Sequence, residues 1–266
     1  MLDVEFAQLS DAGRVRGHNE DYLGSVVPAT PAEARTHGWL FALADGVGGQ
    51  ERGEIASRVA IESMLSGFRD ARAGEPLPAL LSRLVQTANR HVLDTGMGAT
   101  AGGVNMATTM VACALRFDRA VVAHAGDSRC YLIRRGHASV LTRDHTVANE
   151  QLRLGILSTR EAAAVNTRHL LTRSLGTSLF VNVDTGDCQV FPGDVLALCS
   201  DGLHGAVDAG DFARILTRNC DLQLAVRDLV ALANAKDWSD NISIQAIRVR
   251  SVERVGMYRG RPYKLR

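Results

Sequence analysis

A layered α+β domain follows from the way strand-like and helix-like segments are grouped along the 266 residues of the chain. Short runs of β-branched and apolar residues recur at 39–44 (WLFALA), 108–117 (TTMVACALRF), 120–125 (AVVAHA), 129–134 (RCYLIR), 194–200 (DVLALCS) and 242–249 (ISIQAIRV). They read as strands, several of them buried. Two helical patterns separate the first strand from the second, and a further helix pair precedes the last. Blocks of this kind, in place of strict strand–helix alternation, favour layered α+β packing over a doubly wound parallel sheet.

Along the chain, the first helix pair is expected at about 53–68 and 77–94. Pro76 and Pro78 suit the start of the second member, where a missing N–H costs nothing. The C-terminal pair is expected at 210–218 and 222–235, the latter with Ala225, Leu229, Leu232 and Ala233 at helical spacing. Residues 145–176 depart from the strand pattern, being polar and helical with few β-branched positions, and are read as a lid or flap. The last segment, 251–266, carries Arg254, Arg259, Arg261, Lys264 and Arg266 against Glu253 and is read as a basic tail beyond a domain of residues 1–250. The sequence has no internal repeat and no low-complexity tract.

Composition narrows the function. Lys and Arg total 30 against 29 for Asp and Glu, so a formal charge of +1 exerts no general pull on nucleic acid or anionic membrane. The start, MLDVEFAQLS, contains Asp3 and Glu5 and lacks the basic and apolar regions of a signal peptide. No apolar run approaches the ~18 residues of a membrane span. The five cysteines form no CxxC pair, and Cys113 and Cys199 lie in apolar stretches that suit buried, reduced thiols. A cytoplasmic protein is expected.

Acidic residues recur at strand ends beside small residues: Glu20 and Asp21 in RGHNEDY, Asp45 in ALADGVGG, Asp127 in HAGDSR, Asp201 in LCSDGL and Asp240 in WSDNIS. Hard divalent cations such as Mg²⁺ and Mn²⁺ take oxygen ligands and retain water. A carboxylate at a strand end is held rigidly, and a following glycine lets the backbone approach a metal or its hydration shell. Singly, each acid has an ordinary alternative: Asp-Gly is a common turn, Asp240 can cap one, and Asp127 can pair with Arg129. As a set they argue for cations, because like charges gathered in one cleft are costly without them.

RVRGHNED, ADGVGG, AGDSR, SDGL and DN, in this order, resemble the motif series of the metal-dependent protein phosphatases, the type 2C family, over about residues 6–249. The resemblance implies a four-layer αββα sandwich of two mainly antiparallel sheets flanked by helix pairs, with a two-metal site at one edge. It implies that Glu20 and Asp21 approach one metal directly or through water, that Asp45 bridges the two, that the Gly46 carbonyl binds one, and that Asp201 and Asp240 complete the pair. A third, weaker cation matches Asp127 with Asp201. Arg16 matches the phosphate-binding arginine, a role suited to a planar fork that can grip two phosphate oxygens.

The implied reaction is hydrolysis of phosphoserine and phosphothreonine in proteins by water activated on Mn²⁺ or Mg²⁺. The resemblance is to bacterial enzymes, and such enzymes oppose a Ser/Thr kinase; a monomer is expected. Some relatives place a histidine acid two residues after the bridging aspartate, where this chain has Val47, so no histidine acid is assigned; His18, His124 and His145 lie near motifs. Ala107 in MATTM stands where the family often has glycine, with a small packing change expected. GMGATAGG, 96–103, lacks the Lys and Ser/Thr of a phosphate-binding P-loop and is read as a loop. Two other functions compete. An inactive relative serving as a regulatory binding module would normally have lost metal acids, and none is missing here. A small-molecule phosphohydrolase is the other, since the acids define phosphoester chemistry and not the size of the leaving group.

Overall fold

The alternating side-chain directions of the apolar strands are used on both faces, which is why those strands read as continuous hydrophobic runs. In the strand Trp39–Asp45, Leu40, Ala42 and Ala44 pack toward helices, whereas Phe41 and Leu43 pack between two sheets. The computed structural model describes residues 1–47, 52–99, 103–237, 239–258 and 261–264.

One sheet has the order β1 (Asp3–Asp11), β10 (Ile242–Ser251), β9 (Val195–Cys199), β6 (Arg129–Arg134), β7 (His137–Val140). The other has the order β2 (Asp21–Val26), β3 (Trp39–Asp45), β4 (Met110–Arg116), β5 (Arg119–Ala125), β8 (Asp184–Gln189). All pairings within both five-stranded sheets are antiparallel. Phe41, Leu43, Val111, Cys113, Leu196, Leu198 and Ile247 form the seam between them. The helices α2 (Gly53–Arg69) and α3 (Leu77–Gly98) cover the second sheet through Ile61, Met64, Leu81, Leu84 and Val92. The helices α7 (Ala209–Arg218) and α8 (Leu222–Lys236) cover the first through Phe212, Leu216, Val226 and Leu229. The layers are αββα.

The six predicted strands and four predicted helices are all present. Pro78 sits in the first turn of α3, and that helix runs on to Gly98, so the start of the 96–103 stretch is helical; residues 100–102 lie outside the described residues. Of the strands in the two five-stranded sheets, β1, β2, β7 and β8 were not anticipated, and they are the four edges of those sheets.

Two segments decorate this frame. Between β7 and β8 lie α4 (Val147–Arg153), α5 (Thr159–Ala164) and a 3₁₀ turn (Asn166–His169). The two ends of this excursion are stitched together: Val147 N–H donates to Leu170 O at 2.9 Å and Thr172 N–H to His145 O at 2.8 Å. At the C-terminal end, β10 runs to Ser251, and buried Glu253 accepts two hydrogen bonds from Arg35 of α1 (Pro31–Thr36), at 3.1 and 3.0 Å. Beyond it β11 (Val255–Tyr258) and β12 (Arg261–Lys264) pair as a hairpin; Arg259 and Arg266 of the basic segment lie outside the described residues.

Candidate active site

Strand register brings the acids together. Asp21 opens β2 directly opposite Asp45 at the end of β3. In the other sheet Arg129 and Ile244 both flank Cys199, so Asp127 just before β6, Asp201 just after β9 and Asp240 just before β10 emerge at one edge. Arg16, Glu20, Asp45, Gly46, Asp127, Asp201 and Asp240 line a single cavity of about 800 Å³. Asp21 lies behind it, 6% exposed.

The backbone around each acid is fixed. Thr109 Oγ1 accepts from Asp45 N–H at 3.0 Å, while Thr109 N–H and the Thr108 hydroxyl both donate to Asp45 O at 2.8 Å. A Cβ on Gly46 would stand 2.6 Å from the Gly53 main chain and 2.9 Å from Glu20 Cβ, so only glycine fits there. Its N–H donates to Glu20 O at 3.0 Å. Asn241 Oδ1 accepts from Glu20 N–H at 2.9 Å, and its amide donates to Ala12 O and His18 O at 2.9 and 3.1 Å. This one side chain sets the loop that presents Arg16 and Glu20. A Cβ on Gly202 would stand 2.2 Å from Asn241 O, which packs the start of α6 (Asp201–His204) against the Asp240–Asn241 segment.

The charges within the cavity are not neutralised by the arginines that sequence proximity suggests. Arg129 does not pair with Asp127; it grips Asp144 through two hydrogen bonds of 2.8 and 2.6 Å. Burial, reinforced by Asp21, Asp201, Asp127 and Asp240, holds the Asp45 carboxyl well above the ordinary range. Burial and then Asp201 push Asp127 up to about 8. Burial pushes Asp21 up to about 7, against hydrogen bonds from Ser243 and Ser200. Asp21 Oδ2 accepts from Ser200 at 2.8 Å, while Oδ1 is buried with no partner among the described residues. An orphaned carboxylate oxygen, a glycine cradle and a set of oxygen donors that repel one another together fit divalent cations.

The histidines sort differently from their sequence positions. His124 and His145 stack with centroids 4.7 Å apart, and His145 Nε2 lies 3.2 Å from Asp184, which also meets Arg173 at 2.7 Å and Arg143 at 3.3 Å. His145 Nδ1 accepts from Gly126 N–H at 3.1 Å. With two guanidinium groups already on Asp184, His124, His145 and Asp184 form a clamp and not a cation site, although their donor atoms lie within 4.8 Å of one another. His18 is absent from the cavity wall. His169, from the β7–β8 excursion, and His204 are on it, as is Val47. Sequence reasoning missed both, together with Thr108 and Thr109; the polar pair following Ala107 in MATTM was the available signal. Gly48 and Gly49 of ADGVGG and Trp238 of WSDNIS lie outside the described residues.

An αββα sandwich with a carboxylate cluster and Arg16 at its edge is the architecture of a metal-dependent phosphatase. The family model described as Protein phosphatase 2C matches residues 17–233, and the chain belongs to that family. A putative protein phosphatase 2C-type of Streptococcus pyogenes is 31% identical over 249 residues, covering 90% of this chain and 94% of the relative. The Serine/threonine phosphatase stp of Listeria innocua is 31% identical over 258 residues, with 95% and 96% covered. The solved serine/threonine phosphatase of S. agalactiae superposes with a TM-score of 0.84 at 31% identity, covering 93% of this chain and all of that one. The catalytic domain of the phosphatase PstP, solved in complex with two manganese ions, has a TM-score of 0.77 at 28% identity, covering 94% of this chain and 100% of that one. The chain is a metal-dependent protein serine/threonine phosphatase.

Proposed function

We propose that Asp45, Asp201, Asp240 and the Gly46 carbonyl, with Glu20 and with Asp21 behind them, hold a pair of Mn²⁺ or Mg²⁺ ions, and that Asp127 with Asp201 holds a third more weakly. The convergence of these carboxylates in one cavity, with Asp45, Asp127 and Asp21 all raised above their ordinary range, carries this reading. When bound, such cations supply an activated water and offset charge on the phosphoryl oxygens.

The remaining work falls to the chain itself. Thr108 and Thr109 keep Asp45 oriented, and Asn241 sets the loop bearing Arg16 and Glu20. Arg16 receives the phosphate dianion through its guanidinium fork. The excursion from 145 to 176 acts as a flap, because Thr146, Leu152, Arg168 and His169 line the same cavity as the acids, with His169 Nδ1 3.9 Å from Asp201. A phosphorylated protein segment is the substrate, and a Ser/Thr kinase supplies it. The same reading takes the protein as a cytoplasmic monomer with a catalytic domain of residues 1–250; among the described residues no helix is long and apolar enough to cross a membrane.

The test is phosphate release from phosphothreonine peptides in chelator, with Mn²⁺ and with Mg²⁺. Activity is expected only with added cation. Full turnover in chelator would overturn the assignment of these acids.

A further inference from the structure

The turn that carries Asp127 and the short helix that carries Asp201 are joined by one ring. Asp201 and His204 are three residues apart on α6, so both side chains leave the same face, and both line the cavity. His204 Nε2 lies 3.0 Å from the main-chain carbonyl oxygen of Asp127. A carbonyl oxygen can only accept, so Nε2 carries the proton and donates it.

The turn needs such a hold. It is where the chain crosses from β5 in one sheet to β6 in the other. Gly126 takes φ +118°, a conformation that side-chain-bearing residues rarely adopt, and a Cβ there would stand 2.6 Å from Thr109. His145 grips the turn on its near side, accepting from Gly126 N–H and donating its own N–H to Gly126 O at 3.0 Å. His204 grips the far side, at the peptide that follows the Asp127 side chain. Neither Arg129, committed to Asp144, nor any carboxylate can do this, because the group to be held is an acceptor.

We infer that His204 is a positioning residue for the third-cation site: its bond fixes the Asp127–Ser128 peptide and so directs the Asp127 carboxylate toward Asp201. This rests on the assignment of Asp127 and Asp201 to that site. The tight pair has supports of its own, Thr108 at Asp45 and Asn241 at Glu20, and neither involves His204 or the Asp127–Ser128 peptide. Loss of the ring is therefore selective.

The experiment is calorimetric titration of Mn²⁺ alone into the chelator-treated full chain, for the wild type, H204L, H204Q and D127A. Gln places an amide N–H near the position of Nε2, whereas Leu fills similar space and donates nothing. Wild type is expected to show two tight events and one weak one, with D127A abolishing the weak event. H204L should weaken that event by about 2- to 10-fold, the effect of one neutral hydrogen bond, with the tight pair unchanged. H204Q should restore it. A wild-type titration with two events only, or a weak event that D127A leaves intact, overturns the third-site assignment and the role of His204 with it. A weak event lost in D127A but unaltered in H204L, or H204Q no better than H204L, overturns the role of His204 alone. Loss of the tight pair in H204L overturns it as well, since the ring would then support the whole edge.

Discussion

Arg16 Nη2 stands 3.0 Å from both carboxylate oxygens of Asp240, across 224 residues of sequence. Both side chains are substantially exposed, 42% and 37%, so the pair adds little to stability. Its significance is placement: the one arginine matched to phosphate binding sits on the rim of the acid cluster, beside Glu20.

Replacing Arg16 with alanine removes a charge-assisted contact that phosphate would make before and during attack. Such a contact is worth about 1.5 to 3 kcal/mol, or roughly 10- to 150-fold in kcat/KM. Because the guanidinium is a positive charge beside cation ligands, Mn²⁺ affinity should be unchanged or tighter. Calorimetry showing weaker Mn²⁺ binding in R16A would give the arginine a structural role instead.

Asp45→Asn and Asp201→Asn each remove an anionic oxygen from the centre of the cluster. Turnover of phosphothreonine peptides should fall at least ~100-fold in each, since activation of water and placement of phosphate both depend on the bound cations. Near-normal kcat for both variants at saturating Mn²⁺ would move the site elsewhere.

Thr109 supplies the acceptor for Asp45 N–H and also meets Ser128 Oγ at 2.7 Å. In T109V a donor and a hydroxyl lose their partner in a buried setting, a cost of about 1 to 3 kcal/mol. The denaturation midpoint should drop, and T109S, which keeps the hydroxyl, should recover most of it. Equal midpoints for T109V and wild type would show that the Asp45 strand end needs no such tie.

Acidification should act on His145. Burial lowers its pKa to about 4, against the hydrogen bond to Asp184, so the folded protein keeps the ring neutral while the unfolded chain protonates it below about 6.5. Between those values the unfolded state binds more protons, so His145 contributes stability that is present above pH 6.5 and lost as pH falls toward 4. H145N keeps an acceptor for Gly126 N–H but does not titrate. The gap in thermal midpoint between wild type and H145N should therefore narrow over that range; a gap independent of pH would mean that His145 is not held neutral.

The strands readable in the sequence were β3, β4, β5, β6, β9 and β10, each flanked by two neighbours and packed on both faces. Burial on both faces writes a continuous apolar run into the residues. The edges β1, β2, β7 and β8 have one paired side and polar compositions such as DTGDCQ in β8, which suit an edge that must not pair further. Nothing in such a segment by itself distinguishes strand from loop.

The same division runs through the site. Asp45, Asp127, Asp201 and Asp240 border interior strands, so the apolar run before or after each one marks its place, and the small residues beside them follow from close backbone approach. Partner choice is different. Arg129 lies two residues from Asp127 yet binds Asp144, His145 lies far in sequence from Asp184 yet meets it, and His204 reaches back 77 residues to the Asp127 carbonyl. Local composition encodes which face of a strand is buried and where a turn must bend, because those depend on neighbours along the chain. Which side chains then meet depends on which strand ends reach the same edge of the stacked sheets, and that is settled only when ten strands find their register and the two sheets pack.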